Sequence, residues 1–242
     1  MDFKSSTYLR HGDELKLNLG CGKVLFPWTP EKEATRHPML MLPKTAYEAD
    51  WRNVDALAMP GVDEVVDLFA YPWPWADNSV DEIWASHLIE HIPHAPRRAC
   101  SHASDNPWAT AALTDAQYHK AERWRELEHL DGFYAFFAEV YRVLKPGGII
   151  GICAPYGKSD GALYDPQHTR FITETTFHYL GNGGGNSPTY DYNLPLNFEV
   201  TYGPMLDVNS PFDRLPAEQV TALLVTNWNI ASTIRAELRA AK

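Results

Sequence analysis

The sequence predicts an α/β fold built on a largely parallel sheet. Apolar segments of strand length alternate along the chain with segments of helical periodicity. The first strand-like segment runs directly into a Gly-Cys-Gly turn, and a strongly amphipathic helix in the second half is followed by Pro-Gly-Gly and a buried apolar run. This order is typical of strands joined by helical crossovers, which place the strands parallel in one sheet.

The predicted strands of the first half are short and bounded by turn residues. Residues 15–19 alternate apolar and polar side chains and stop at the turn formed by residues 20–22. Three more segments, around 53–55, at 62–68 and at 80–86, have the composition of strands and are separated by Pro, Gly, Asn and Asp. We expect these four segments to form one side and the centre of the sheet.

The second half predicts one clear helix and three further strands. Apolar side chains from 133 to 144 follow helical spacing, and the Pro-Gly-Gly at 146–148 ends the helix before a buried strand at 149–154. Segments 198–202 and 220–228 are predicted to pair as an antiparallel edge, because no helical pattern is evident between them.

The whole chain, 1–242, is predicted to be one domain with insertions at about 23–50 and 93–130. Both insertions follow the carboxyl ends of predicted strands, the edge where open α/β sheets bind ligands. The second contains a polar segment, 114–129, with helical character, and a third long connection, 155–195, includes a Gly/Asn-rich tip. These segments are candidates for a lid or for a wall that selects the substrate.

Composition restricts the partners and the compartment. The 242 residues include 21 Lys and Arg against 31 Asp and Glu, a net charge of −10, which disfavours binding to nucleic acid. Three scattered cysteines do not form a disulfide framework, and the sequence shows neither a secretory signal nor an apolar run long enough to cross a membrane. We therefore expect a cytoplasmic protein whose partner is a small molecule, without a membrane segment and with no oligomeric state specified.

Polar residues at the strand ends predict a nucleoside site. Gly20 and Gly22 allow backbone amides to approach a ligand, although a plain tight turn would use the same residues. Leu25 stands where a dinucleotide fingerprint has its third glycine, which argues against a pyrophosphate site. Asp55 can accept ribose hydroxyls, and Asp67 with the next backbone amide can contact an adenine edge.

Five ordered motifs then carry a family resemblance. The sequences LNLGCG, NVD, DL, ASHLIEHI and YRVLKPGG stand at 17–22, 53–55, 67–68, 85–92 and 141–148. In these the chain resembles the class I S-adenosylmethionine-dependent methyltransferases. The resemblance implies a doubly wound, mostly parallel, seven-stranded sheet with one antiparallel strand, which is a Rossmann-like methyltransferase fold. It also implies S-adenosyl-L-methionine as cofactor, with contacts from Asn18, Gly20, Cys21, Gly22, Asp55, Asp67, Leu68, Ser86 and His87. Many members carry an acidic residue where this chain has Asn18, so a charged contact with the cofactor's amino group is replaced by an amide.

Glu90, His91 and His168 are the candidate catalytic residues. A base is needed where the acceptor is protonated at neutral pH, and His91 beside Glu90 is the first candidate. His168 lies in DPQHTRF, which resembles a segment that borders the acceptor pocket in the same group; Arg170 there could pair with an acceptor or with an acidic neighbour. Alternatively, these residues only cap and pack their local turns.

No metal is expected from the sequence. His87, His91 and His94 have helical spacing, but Pro93 interrupts the helix and no carboxylate or cysteine completes a recognisable ligand set. The predicted function is transfer of a methyl group from S-adenosylmethionine to an oxygen or nitrogen of a small molecule. The alternatives are a methyltransferase that modifies nucleic acid and a non-catalytic cofactor-binding scaffold of the same fold.

Overall fold

The computed structural model describes residues 14–34, 42–98, 125, 127–181 and 196–242. Its strands are β1 (Lys16–Leu19), β2 (Trp51–Asp55), β3 (Glu64–Val65), β4 (Ala70–Tyr71), β5 (Val80–Ser86), β6 (Arg97–Arg98), β7 (Leu144–Pro155), β8 (Phe198–Val208) and β9 (Ala231–Ala240). Its α-helices are α1 (Pro30–Ala34), α2 (Gly132–Val143) and α3 (Ala217–Thr226). Turns of 3-10 helix occupy Ile89–His91, Asp160–Ala162, Glu174–Leu180 and Phe212–Arg214.

Seven strands form the main sheet in the order β3-β2-β1-β5-β7-β9-β8. The pairs from β3 across to β7 are parallel, and β9 runs antiparallel to both of its neighbours. Strands β4 and β6 pair separately. The predicted seven-stranded, mostly parallel α/β fold is confirmed. Among the helices of the described ranges, none is long and apolar enough to cross a membrane.

The strand order creates a switch point between β1 and β5. From β1 the sheet extends through β2 and β3 on one side, and through β5 and β7 on the other. Ligands of open α/β sheets bind outside the carboxyl ends of the strands at such a point. The Gly20 to Gly22 turn follows β1 and His87 follows β5, so the fold brings both predicted motifs to this crevice.

The central strand β1 is buried along its whole length. Leu17 and Leu19 are fully inaccessible to solvent, as expected where a parallel sheet is covered on both faces. Even Lys16 is buried, and its ammonium group is surrounded by three carboxylates, those of Glu14, Glu48 and Asp50.

Helix α2 confirms the predicted helix, and the Pro-Gly-Gly segment has a different role from the one expected. The Asp131 side chain caps the helix by accepting a hydrogen bond from the Phe133 amide at 2.9 Å. The helix ends at Val143, and β7 begins with the next residue. Residues 146–148 lie within β7, at the point where its register with β5 shifts. Gly and Pro are tolerated at such an irregularity of a strand, so this segment does not have to end the strand.

The predicted third strand, 62–68, is shorter in the structure. Only Glu64–Val65 pair, at the outer edge of the sheet beside β2. Val65 is 57% exposed, so the apolar run that suggested a longer strand is not buried on both faces. Short edge strands are common because they limit unpaired backbone at the surface. Asp67 therefore lies two residues beyond the strand.

The prediction of a strand at 220–228 is wrong. Most of that segment is helix α3, which follows Pro216, and its half-buried residues Val220, Leu223 and Leu224 have helical spacing. The partner of β8 is β9, in which Ile234, Ala236, Leu238 and Ala240 face the core at alternate positions. The sequence signal for β9 is the period of two in its apolar residues.

The insertion at 23–50 packs on the sheet where it is described. Phe26 and Trp28 join a buried cluster with Trp51 and Trp84, and the Asn53 side chain holds Phe26 by accepting from its amide at 2.7 Å and donating to its carbonyl at 2.6 Å. The predicted helix at 114–129 and the Gly/Asn-rich tip lie mostly outside the described residues.

Candidate functional site

A cavity of about 650 Å³ opens at the carboxyl edge of the sheet. That volume lies within the range of small-molecule and cofactor sites. The described residues that line it are Gly20, Asp55, Ala56, Asp67, Leu68, Phe69, Leu88, His91 and Gln167. Five of these were predicted from the sequence as site residues, namely Gly20, Asp55, Asp67, Leu68 and His91.

The glycine turn after β1 has the conformation that its sequence suggested. Gly20 and Gly22 have φ angles of +62° and +50°, which side-chain-bearing residues rarely adopt. The Gly22 amide donates to Oδ2 of Asp55 at 2.9 Å, and the Cys21 amide donates to the Val54 carbonyl at 3.1 Å. These bonds fasten the turn to the end of β2 and place the Asp55 carboxylate beside it.

A second part of the cavity lining is formed by Asp67, Leu68 and Phe69. The Phe69 amide donates to Oδ1 of Asp67 at 3.0 Å, and the Leu68 carbonyl accepts from the Trp73 indole at 3.1 Å. Leu68 is almost fully buried. These contacts hold a partly apolar surface in the same cavity as Gly20.

The charge of the cavity discriminates between ligand classes. Asp55 and Asp67 contribute two carboxylates, and His91 is the one basic side chain among the described lining residues. A pyrophosphate would meet these carboxylates without a compensating cation, whereas hydroxyl groups and a cationic ligand would be favoured. This agrees with the argument from Leu25 against a dinucleotide.

Four lining residues were not predicted from the sequence: Ala56, Phe69, Leu88 and Gln167. Each is adjacent to a predicted residue or lies inside a quoted motif. Their position next to a motif was therefore the only sequence signal that they line the cavity. Whether a given side chain points into the cavity depends on the geometry of the turn after each strand, which the motif does not specify.

Asn18 occupies a structural position. Its side chain is buried, and its amide group donates to the Val24 carbonyl at 2.6 Å and to Oδ1 of Asn53 at 3.0 Å. It thus ties the segment after the glycine turn to β2. Cys21, Gly22, Ser86 and His87 are also not among the residues that line the cavity. All nine cofactor contacts assigned from the sequence stay predictions.

Two groups beside the cavity have shifted pKa values. Burial, and then the charge of Asp55, raises the pKa of the Cys21 thiol to about 11, so the thiol is protonated at neutral pH. His87 has a positive φ and a half-exposed ring. Its contacts with Cys153 and then with Glu90 raise the pKa of His87 well above its usual range.

The candidate catalytic residues come together in space. Glu90 and His91 lie in the 3-10 turn after β5, and the His91 and His168 rings are 4.7 Å apart between centroids, in an edge-to-face arrangement. The amides of Thr169 and Arg170 both donate to the Glu90 carbonyl, at 2.8 and 3.1 Å. This pairing docks the segment that carries His168 against the turn after β5.

The structure decides between the two interpretations of Arg170. Its guanidinium forms an ion pair with Asp131 at 2.9 Å and donates to the carbonyls of Ile92 and Pro93 at 2.9 and 2.8 Å. Arg170 therefore pairs with an acidic neighbour. His87, His91 and His94 do not share a helical face, because the helical turn here is limited to Ile89–His91.

Solved structures with a similar fold include S-adenosylmethionine-dependent methyltransferases. One from Archaeoglobus fulgidus is 13% identical, with a TM-score of 0.47 over 94% of this chain and 86% of its own. One from Mesorhizobium loti is 12% identical, with a TM-score of 0.42 over 94% of this chain and 91% of its own. The Burkholderia thailandensis 1,6-didemethyltoxoflavin-N1-methyltransferase, solved with bound 1,6-didemethyltoxoflavin and S-adenosylhomocysteine, is 9% identical, with a TM-score of 0.42 over 95% of this chain and 72% of its own.

No protein-family model and no curated protein matches the sequence. The likeness to the solved structures concerns the fold, and we derive the function from the residues of the cavity.

Gly20→Ala should impair the site more than Gly22→Ala. Both substitutions impose a left-handed conformation on alanine, at a cost of about 1–2 kcal/mol. The new Cβ of G20A would also lie 2.9 Å from Cδ1 of Leu88 inside the cavity, whereas that of G22A would meet no atom within 4 Å. Urea unfolding and calorimetric titration with S-adenosylmethionine should both rank G20A below G22A. Equal losses of stability and affinity in the two variants would contradict this ranking, because the Leu88 side chain would then move away from the new Cβ at no cost.

Proposed function

We propose that this protein binds S-adenosylmethionine at the crevice between β1 and β5 and transfers its methyl group to an oxygen or nitrogen of a small molecule. The observation that carries the proposal is the placement of the Asp55 carboxylate, hydrogen bonded to Gly22, in one cavity with the left-handed Gly20 backbone. This arrangement provides an acceptor for ribose hydroxyls next to a backbone that a ligand can approach closely.

The lining residues fit the parts of the cofactor. Asp55 would accept hydrogen bonds from the ribose hydroxyls, and Asp67 and Leu68 would flank the adenine, with the Phe69 ring adding apolar surface. The backbone of the glycine turn would face the methionine portion. The carboxylates of the cavity favour the positive charge of the sulfonium over a phosphate group.

When bound, S-adenosylmethionine supplies an electrophilic methyl group and leaves as S-adenosylhomocysteine once that methyl has been transferred. The protein has to hold the acceptor in line and exclude water, which together account for much of the acceleration. We assign acceptor activation to Glu90, His91 and His168, because His91 lines the cavity and ligand atoms of the other two residues lie within 4.8 Å of its own.

A small-molecule acceptor agrees with the charge of the protein. The net charge is −10, and the described lining of the cavity contains no Lys or Arg. A nucleic acid would require a basic surface to neutralise its phosphates.

Calorimetric titration of the purified chain tests the proposal. We expect S-adenosylmethionine and S-adenosylhomocysteine to bind with micromolar affinity and one-to-one stoichiometry, and NADH to produce no binding heat. Both ligands are suitable probes of the cofactor site, because S-adenosylhomocysteine differs from S-adenosylmethionine only in lacking the transferred methyl group. Absence of binding by both ligands, or equal binding of NADH, would overturn the assignment of the cofactor.

A further inference from the structure

Glu90 presents a buried carboxylate without a hydrogen bond. The residue is 1% exposed, and neither carboxylate oxygen has a hydrogen-bond partner within the described part of the chain. The nearest cationic group is Nδ1 of His87, 3.4 Å from Oε1, beyond the range of a charge-assisted hydrogen bond. A carboxylate in such surroundings is costly unless a further partner, such as an ion, completes it.

The imidazoles of His91 and His168 lie close to this carboxylate. Ligand atoms of Glu90, His91 and His168 all lie within 4.8 Å of one another. Ligand atoms in a tetrahedral zinc site are about 3.4 Å apart, so side-chain adjustments of about 1 Å would bring the three groups to that spacing. The three residues come from two segments that the Glu90 carbonyl holds together through the amides of Thr169 and Arg170.

The surroundings of His168 orient it as a metal ligand. Its side chain is 7% exposed, and its Nδ1 lies 3.3 Å from the Ala162 carbonyl. Donation to that carbonyl places the proton on Nδ1 and leaves the lone pair on Nε2. Histidine ligands in metalloproteins are commonly fixed in this way by a backbone carbonyl behind the ring. Nε2 is also 3.9 Å from Oδ2 of Asp165, which provides a further oxygen nearby.

We propose that Glu90, His91 and His168 bind one divalent transition-metal ion at the edge of the cavity. Two imidazole nitrogens and one carboxylate oxygen suit Zn²⁺, Co²⁺ or Fe²⁺ better than Mg²⁺ or Ca²⁺, which prefer oxygen ligands. The sequence alone predicted no metal, because His168 joins Glu90 and His91 only in the folded protein.

An ion with three protein ligands retains an open coordination position. His91 lines the cavity, so this position would serve an oxygen of the acceptor and would make a hydroxyl group there more acidic. This role specifies a hydroxyl acceptor and rests on the proposed function. Metal binding itself does not depend on the cofactor and can be measured without it.

A second group of carboxylates provides a contrast. Glu14, Glu48 and Asp50 also lie close enough together to suggest a cation site. The Lys16 ammonium already occupies that position, at 3.1 Å from Glu14 and 3.6 Å from Asp50, and it also contacts Glu48. The Glu90 carboxylate has only the His87 imidazole near one oxygen, at 3.4 Å, and its second oxygen accepts no hydrogen bond within the described residues.

The test uses the purified full chain, stripped of metal by a chelator and titrated with ZnCl₂ by calorimetry in the absence of S-adenosylmethionine. In parallel, CoCl₂ is added and the visible d–d absorption of bound Co²⁺ is recorded. We expect one ion per chain, with Glu90→Gln and His168→Ala each weakening the affinity at least about tenfold and reducing the Co²⁺ bands. His178→Ala, which removes an imidazole outside the cluster, should bind as the wild type does. Circular dichroism establishes that each variant is folded.

Absence of Zn²⁺ and Co²⁺ binding by the folded wild-type chain would overturn the metal site. So would binding that E90Q and H168A leave unchanged, because the ion would then lie elsewhere. S-adenosylmethionine is titrated into the same metal-free preparation, so failure of the cofactor assignment is recorded separately from failure of the metal site.

Discussion

Replacing Asp55 with asparagine should weaken binding of S-adenosylmethionine roughly ten- to hundredfold, which corresponds to about 1.5–3 kcal/mol for hydrogen bonds to a charged group. The Asp55 oxygens accept from the Gly22 amide at 2.9 Å and from the Leu57 amide at 3.0 Å, and the carboxylate also lines the cavity. Asparagine has the same shape, but it lacks the charge and keeps only one acceptor oxygen. The substitution also removes one of the two hydrogen bonds from the backbone amides, so a loss of stability of about 1 kcal/mol is expected beside the loss of affinity.

Calorimetric titration of the D55N variant measures this effect, and thermal unfolding checks its stability. Asp213→Asn is the matched control, because it makes the same chemical change at an exposed carboxylate outside the cavity. An unchanged affinity in a folded D55N variant would contradict the assignment of Asp55 to the ribose. A comparable loss of affinity in D213N would show that the effect is one of overall charge.

Replacing Arg142 with methionine should lower the free energy of unfolding by about 3–5 kcal/mol, because it leaves a buried carboxylate without its cation. Glu139 is fully buried in helix α2 and forms two hydrogen bonds with the Arg142 guanidinium, at 2.9 and 2.8 Å. It also accepts from the Trp73 amide at 2.8 Å. Arg142 in turn donates to the Trp75 carbonyl at 2.8 Å, so its loss also frees part of the loop before β5.

Urea unfolding of R142M tests this prediction. Arg239→Met is the control, because Arg239 and its partner Glu199 are half-exposed and such surface pairs contribute at most about 1 kcal/mol. Adding Glu139→Gln to R142M should recover part of the loss, since a neutral amide needs no counter-ion and its oxygen still accepts from the Trp73 amide. A double variant no more stable than R142M, or an R142M no less stable than R239M, would contradict the explanation by an uncompensated charge.

Several elements were predictable because their signals are local. The apolar pattern of β1 and the two glycines after it predicted both the strand and the tight turn that follows it. The helical spacing of α2 predicted a buried helix. Segment 220–228 was misassigned because a short amphipathic helix and a strand both contain closely spaced apolar residues, and helical spacing was the deciding detail.

The α/β class and the binding edge at the strand ends could be predicted from the sequence, as could the importance of Gly20, Asp55, Asp67, Leu68 and His91, which all line the cavity. Each of these follows from residues close in sequence to a strand end. Three features could be recognised only in the folded protein: the internal hydrogen bonds of Asn18, the ion pair of Arg170 with Asp131, and the proximity of His168 to Glu90 and His91. These contacts join segments distant in sequence, and their geometry depends on how the chain packs after the strands have formed. The metal proposal therefore arises from the folded protein, whereas the cofactor proposal was already present in the order of the motifs.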